Sequence, residues 1–138
     1  MIGIVLTGHG SFPNGIFESV QLIAGEIKQV EVIPFEVDVT IFEQVVKKAI
    51  DKVETGAGVV CFTDLAGGTP FNVCSRIASC KDNIRVVAGT NLPMLLSGIF
   101  HRELSLDAFI DKMIKDGKEN IKEFSKIQQQ TEEDVAGI

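Results

Sequence analysis

Four short β-rich runs alternate with segments of helical spacing, and this alternation confines the chain to an α/β fold. The runs occupy residues 2–6, 30–35, 58–62 and 84–88. The first and third are continuously apolar, as strands covered on both faces are. The second contains Pro34, which has no N–H for a ladder, so it reads as an edge strand. Strands joined through helices lie parallel, with right-handed crossovers and helices on both faces of the sheet. With run two at an edge, the expected order is 2-1-3-4. Its switch point falls between strands one and three, and sites on such sheets form at the carboxyl ends of the strands there. Two loops therefore hold the candidate function, residues 7–15 and 63–70.

The helical segments are read from apolar spacing and caps. Ile16, Val20, Ile23 and Ile27 recur at helical intervals. Ile41, Phe42, Val45, Val46, Ala49, Ile50 and Val53 give a broad apolar face, with Thr40 and Glu43 matching a capping box at its start. Asp38, just before it, reads as a solvated loop residue. Phe71, Cys74, Ile77 and Ala78 mark a third helix, with Thr69 as N-cap and Pro70 at the first helical position. Arg76 reads as solvating this helix or meeting a partner's carboxylate. Asn91 and Pro93 fit the start of a fourth helix over Met94, Leu95, Ile99 and Phe100. His101 would face its last carbonyls. Ser105 caps a fifth helix, which Gly117 either ends or interrupts. Ile121, Phe124 and Ile127 are spaced by three, which is helical. The expected organisation is one domain over 1–128 and a flexible polar tail over 129–138.

Composition removes several function classes. The 138 residues suffice for one domain with its own core. No apolar run approaches the ~20 residues that span a bilayer. The apolar start has no basic leader, so the expected location is cytoplasmic. A net charge of −6 argues against a nucleic-acid surface. Cys61, Cys74 and Cys80 show no metal-ligand or C-x-x-C spacing and read as small side chains in a reducing compartment.

The first loop, Thr7-Gly8-His9-Gly10-Ser11-Phe12-Pro13-Asn14-Gly15, holds one of two histidines. The second, Thr63-Asp64-Leu65-Ala66-Gly67-Gly68-Thr69-Pro70, offers a carboxylate, a glycine pair, a hydroxyl and a helix start. An unperturbed imidazole titrates near ~6.5, so at neutral pH it is largely an available nucleophile. A carboxylate on one ring nitrogen fixes the tautomer and exposes the lone pair of the other. Gly67, Gly68 and the first N–H groups of the third helix can form an anion nest, with Thr69 adding a donor. Together these groups describe a site that takes a phosphoryl group onto a ring nitrogen. Competing motifs fail. Pro13 breaks G-x-G-x-x-G, no G-K-[ST] occurs, and Ser11 lies in no G-x-S-x-G elbow. No metal or organic cofactor is required.

At these residues the chain resembles the EIIA component of the mannose/fructose/sorbose family of the bacterial sugar phosphotransferase system (PTS). The matching stretches are Thr7-Gly8-His9-Gly10, the run Phe62 to Asn72 with Ser75-Arg76-Ile77, and Ala88 to Leu95. The resemblance implies that His9 accepts a phosphoryl group from the carrier protein HPr and passes it to EIIB, a separate polypeptide. The membrane components EIIC and EIID, with which the chain would associate peripherally, follow. It implies that Asp64 hydrogen-bonds His9 and that Thr69 stands near the phosphoryl group; Gly67 and Gly68 of the nest, with Gly10 and Ser11 of the first loop, are the further candidate phosphoryl-binding residues. Ala66 stands where a mannose-transporter member carries tryptophan, so that ring's contacts are absent. A homodimer is implied, with a C-terminal segment crossing to the partner as a strand. We place the crossing within 118–128, where the three-residue spacing reads instead as helix. Two other readings stand beside this one: the phosphotransfer subunit of a dihydroxyacetone kinase system, and a regulatory module that binds an anion without covalent modification.

Overall fold

The computed structural model describes residues 1–126. Ile127 and the expected tail over 129–138 lie outside the described residues. The element order is β1 (Gly3–His9), α1 (Phe12–Ala24), β2 (Val30–Phe35), α2 (Val39–Val53), β3 (Val59–Phe62), α3 (Thr69–Ala78), β4 (Ile84–Val87), α4 (Leu92–Phe100) and α5 (Leu106–Glu119). The four strands form one parallel sheet in the order β2-β1-β3-β4, with β2 at an edge as Pro34 requires.

Alternate strand residues face opposite sides, and each side is covered. Val5, Val59 and Cys61 pack beneath α2 and α3 with Phe42, Val46, Val73 and Cys74. Ile4, Leu6, Val60 and Phe62 pack on the other face with Val20 of α1, Met94 and Leu95 of α4, and Phe109 and Met113 of α5. The two central strands are therefore buried on both faces, which explains their unbroken apolar runs.

β1 runs three residues beyond its expected end because β2 accompanies it, pairing Thr7 with Ile33, Gly8 with Pro34 and His9 with Phe35. β3 stops at Phe62, opposite Leu6. Beyond that point buried hydroxyls hold the strand ends. Thr7 Oγ1 donates to Ile33 O at 2.6 Å, Thr63 Oγ1 to Val87 O at 3.0 Å and Thr90 Oγ1 to Thr63 O at 2.7 Å.

Several local expectations are corrected. Asp38, not Thr40, caps α2, its carboxylate accepting from Ile41 N at 3.0 Å. Glu43 is thereby free to accept from Arg76 Nε at 2.9 Å, so Arg76 ties α3 to α2. The N-cap of α3 is Gly68, with no side-chain capping bond, and Thr69 is its first residue. Ile27 lies beyond Gly25, which ends α1. Gly117 is inside α5. A Cβ there would stand 2.8 Å from Met94 Cε, so the glycine lets α5 close on α4. Residues 121–125 are not helical, and both Ile121 and Phe124 are exposed. The caps Asn91 and Ser105 stand as expected, accepting from Met94 N and Ala108 N. His101 ends α4 with its Nδ1 2.7 Å from Ser97 O.

The opposite end of the sheet is closed by Arg102, which is 5% exposed. Its guanidinium donates to Ile2 O at 2.8 Å, to Gln29 O at 2.7 Å and to Lys28 O, while Ile2 N donates back to Arg102 O. Removing it leaves three carbonyls of the β1 and β2 entries without that donor. Arg102→Ala is expected to cost about 3 kcal/mol of unfolding free energy in urea titrations. A loss under about 1 kcal/mol would mean that water substitutes fully for the guanidinium.

Candidate active site at the carboxyl ends of β1 and β3

His9 is the last residue of β1, and Asp64 lies two residues past the end of β3. Because β1 and β3 are neighbours, the two side chains meet. His9 Nδ1 stands 2.8 Å from Asp64 Oδ2, and the same oxygen accepts from His9 N at 2.9 Å. Asp64 Oδ1 accepts from Leu65 N at 2.9 Å. One carboxylate thus fixes both the backbone and the ring of His9. Nδ1 carries the proton donated to Asp64, an assignment that follows from the acceptor-only carboxylate, and Nε2 keeps its lone pair.

Exposure divides the pair. The Asp64 side chain is 11% exposed and the His9 side chain 47%. Burial alone pushes the Asp64 carboxyl up, but bonds from His9 N, the His9 ring and Leu65 N outweigh it and hold the pKa below the usual carboxylate value.

Two glycines allow this geometry. A Cβ on Gly8 would stand 2.7 Å from Phe12 Cδ1 and 3.1 Å from Asp64 Cγ. A Cβ on Gly68 would stand 2.8 Å from His9 Cε1. Gly68 has φ −78°, so its role is close approach and not turn geometry, whereas Gly67 has φ +82° and does supply the turn. Asn72 Nδ2 donates to Gly67 O at 3.1 Å and fixes that turn. The imidazole therefore lies against the start of α3, where Thr69 N and Phe71 N have no intrahelical acceptor and Pro70 has no N–H.

Of the residues expected to surround a phosphoryl group, Gly67, Gly68 and Thr69 stand together at this helix start. Gly10 is not aimed at this helix start through its N–H, which donates to Phe35 O at 2.8 Å. Ser11 is the exposed N-cap of α1, and its hydroxyl makes no capping bond. Sequence reasoning missed Gly8 and Phe35. The Phe35 ring meets the imidazole edge-on at 5.9 Å. The β1–β2 register was the signal for that contact, since it pairs His9 with Phe35.

This arrangement has known relatives. A family model described as PTS system fructose IIA component (EIIA-man) matches residues 3–114. The chain belongs to this IIA family. The PTS system mannose-specific EIIAB component of Escherichia coli strain K12 is 31% identical over 126 residues, 88% of this chain but 39% of that protein. The chain thus spans about two fifths of the length of that relative. The PTS system fructose-specific EIIA component of Bacillus subtilis is 30% identical over 75% of this chain and 72% of its own length. The crystal structure of the phosphotransferase system component EIIA from Streptococcus agalactiae superposes with a TM-score of 0.83 at 33% identity, covering 90% of this chain and 98% of that one. His9, Asp64 and the Gly67-Gly68 turn all lie within the segment matched by the IIA family.

The depressed Asp64 pKa makes this IIA domain's stability depend on pH. A folded pKa below the unfolded value of ~3.9 means the stabilisation is complete above about pH 5 and is lost as pH falls through the folded pKa. Urea denaturation of wild type and Asp64→Asn is therefore expected to show a stability gap at pH 6 that narrows towards pH 3. A gap unchanged between those pH values would contradict the charged, hydrogen-bonded state of Asp64.

Proposed function

We propose that this chain is the IIA phosphoryl carrier of a sugar phosphotransferase system, with His9 Nε2 as the atom that is charged and discharged. The observation that carries the reading is the 2.8 Å contact between His9 Nδ1 and Asp64, which commits one nitrogen and leaves the other free beside a helix start. Phosphorylated HPr is the donor. The Nε2 lone pair attacks phosphorus, an N–P bond forms on His9, and the N–P bond to the carrier's histidine breaks. The leaving imidazole keeps the electron pair, so the exchange balances without a metal or an external base. Asp64 stabilises the cationic ring character of phosphohistidine. Thr69 N, Phe71 N and the Thr69 hydroxyl offset the phosphoryl charge, aided by the α3 dipole. The reverse geometry then delivers the group to EIIB, and through it to the EIIC and EIID components. Catalysis here is chiefly positioning and charge stabilisation.

The domain so used is 1–128, and its working form is a homodimer. A cavity of about 350 Å³ beside β4, which among the described residues is an edge strand, is lined by Val86, Met94, Ile114 and Ile121 and supports the crossing of a partner's C-terminal strand. Sedimentation equilibrium is expected to give two chains per particle, and Ile121→Asp to shift the particle towards one.

Intact-mass measurement after incubation with phospho-HPr tests the relay. Wild type gains one phosphoryl group and His9→Ala gains none. Asp64→Ala loads about 10²-fold more slowly, because the ring loses its fixed tautomer. Label that still enters His9→Ala would overturn the assignment. Binding of inorganic phosphate with no added mass would favour the non-covalent anion-binding module.

A further inference from the structure

We propose that the cavity between α2 and the end of α3 is a binding site for a small organic anion, one with an apolar body and a phosphate-like head. The site lies away from His9 and involves no transfer step, so it goes beyond the relay reading.

The cavity exists because two neighbouring helices differ in length. α2 runs from Val39 to Val53, and α3 only from Thr69 to Ala78. Arg76 ties them together, its Nε donating to Glu43 Oε1 at 2.9 Å and its Nη2 to the same oxygen at 2.5 Å. Past that tie α3 soon ends and α2 runs on. The space left beside α2 is closed by the turn bearing Cys80 and Lys81 and by Ile84, the first residue of β4. It holds about 350 Å³. Ile84 stands at the entry end of the sheet, whereas His9 ends β1 at the other.

Floor and rim differ in chemistry. Ile50, Ile77 and Ile84 form the floor, and all three are buried. The rim sets Lys47, Arg76 and Lys81 against Glu43 and Asp51. Cations thus outnumber carboxylates here, on a chain whose net charge is −6. Small-molecule sites have this build, mostly apolar walls with a few placed polar groups. The floor selects an apolar body, and the rim, opposite in sign to the rest of the chain, selects an anionic head.

Glu43 governs how that head binds. Its carboxylate already engages Arg76 and stands 3.7 Å from Lys47 Nζ. Lys81 makes no ion pair among the described residues. An arriving anion therefore takes Lys81 without competition and contends with Glu43 for the other two cations.

The cavity supplies its own reporter. Cys80 lines it and is exposed, whereas Cys61 and Cys74 are buried. Alkylation of the native protein by iodoacetamide therefore reads Cys80. Phenyl phosphate is the probe, with inorganic phosphate and benzyl alcohol as its two halves. Saturating phenyl phosphate is expected to slow alkylation of Cys80 about fivefold, and each half to bind at least about tenfold more weakly, because head and body are held together. Lys81→Gln is expected to raise the Kd for phenyl phosphate about fivefold at low salt, with an unchanged circular dichroism spectrum. Glu43→Gln is expected to lower that Kd severalfold, since a competitor is removed. A residue that merely supports the fold would change it in the opposite direction. No protection of Cys80 at about 10 mM phenyl phosphate overturns the proposal. So does equal protection by inorganic phosphate, which leaves a bare anion contact, or by benzyl alcohol, which leaves an apolar hollow. Protection that grows with protein concentration alone assigns the cavity to a second copy and overturns it as well. Phospho-HPr is absent throughout, so the relay reading stands or falls separately.

Discussion

One carboxylate accepting from both the main chain and the ring of the same histidine is the constraint around which this molecule is arranged. Asp64 binds His9 N and His9 Nδ1 through a single oxygen. The ring is thereby locked to its own backbone, and its orientation follows that of β1. Burying a carboxylate is costly unless it is well bonded, and three N–H donors offset that cost here. The contact also demands that two Cβ atoms be missing. Gly8 lets the carboxylate approach β1, and Gly68 lets the ring approach α3. Histidine, carboxylate and two glycines thus form one steric unit, although they come from segments 55 residues apart.

That unit depends on the sheet being held differently at its two ends. At the entry end, Arg102 collects carbonyls from β1 and from the segment leading into β2. At the carboxyl end, buried threonine hydroxyls tie each parting strand to its outer neighbour, Thr7 to β2 and Thr63 to β4, and Thr63 sits immediately before Asp64. The strand ends must separate to make a site, and backbone groups exposed by that separation need partners. Short hydroxyl side chains supply them without filling the crevice above.

The order of strands was legible because Pro34 can stand only at an edge and because β1 and β3 are apolar throughout. From that order followed the meeting of His9 with Asp64. What was not legible depended on competition between neighbours or on contacts across the fold. Thr40 and Asp38 both offer caps, and the carboxylate at 38 takes the role, which leaves Glu43 to Arg76. Thr69 has the chemistry of an N-cap, but the chain places Gly68 there so that the imidazole can lie against it. Arg102 looks like any surface cation in the sequence, since nothing local announces three carbonyls gathered from residues far away. Gly117 suggested a helix end or an interruption because local propensity says so, whereas helix-on-helix packing required a missing side chain.

Among the described residues, the polar and aromatic partners of the His9 ring are Asp64 and Phe35, and neither is a cation. On the proposed relay reading, in which a chain of net charge −6 handles a phosphoryl dianion, this choice has a physical logic. A lysine or arginine beside Nε2 would bind the arriving group strongly, and it would bind it equally strongly when the group had to leave. Binding that favours the charged intermediate over both flanking states makes a trap and not a relay. Backbone N–H groups and a helix dipole give a weaker, fixed stabilisation that needs no reorganisation in either direction. The carboxylate acts in the same sense. It favours a proton on Nδ1 and would so compensate a ring that carried phosphorus on Nε2, while adding nothing that would hold the phosphoryl oxygens themselves. The proposed carrier, which would receive and release the same group at the same atom, is best served by a site of this moderate kind.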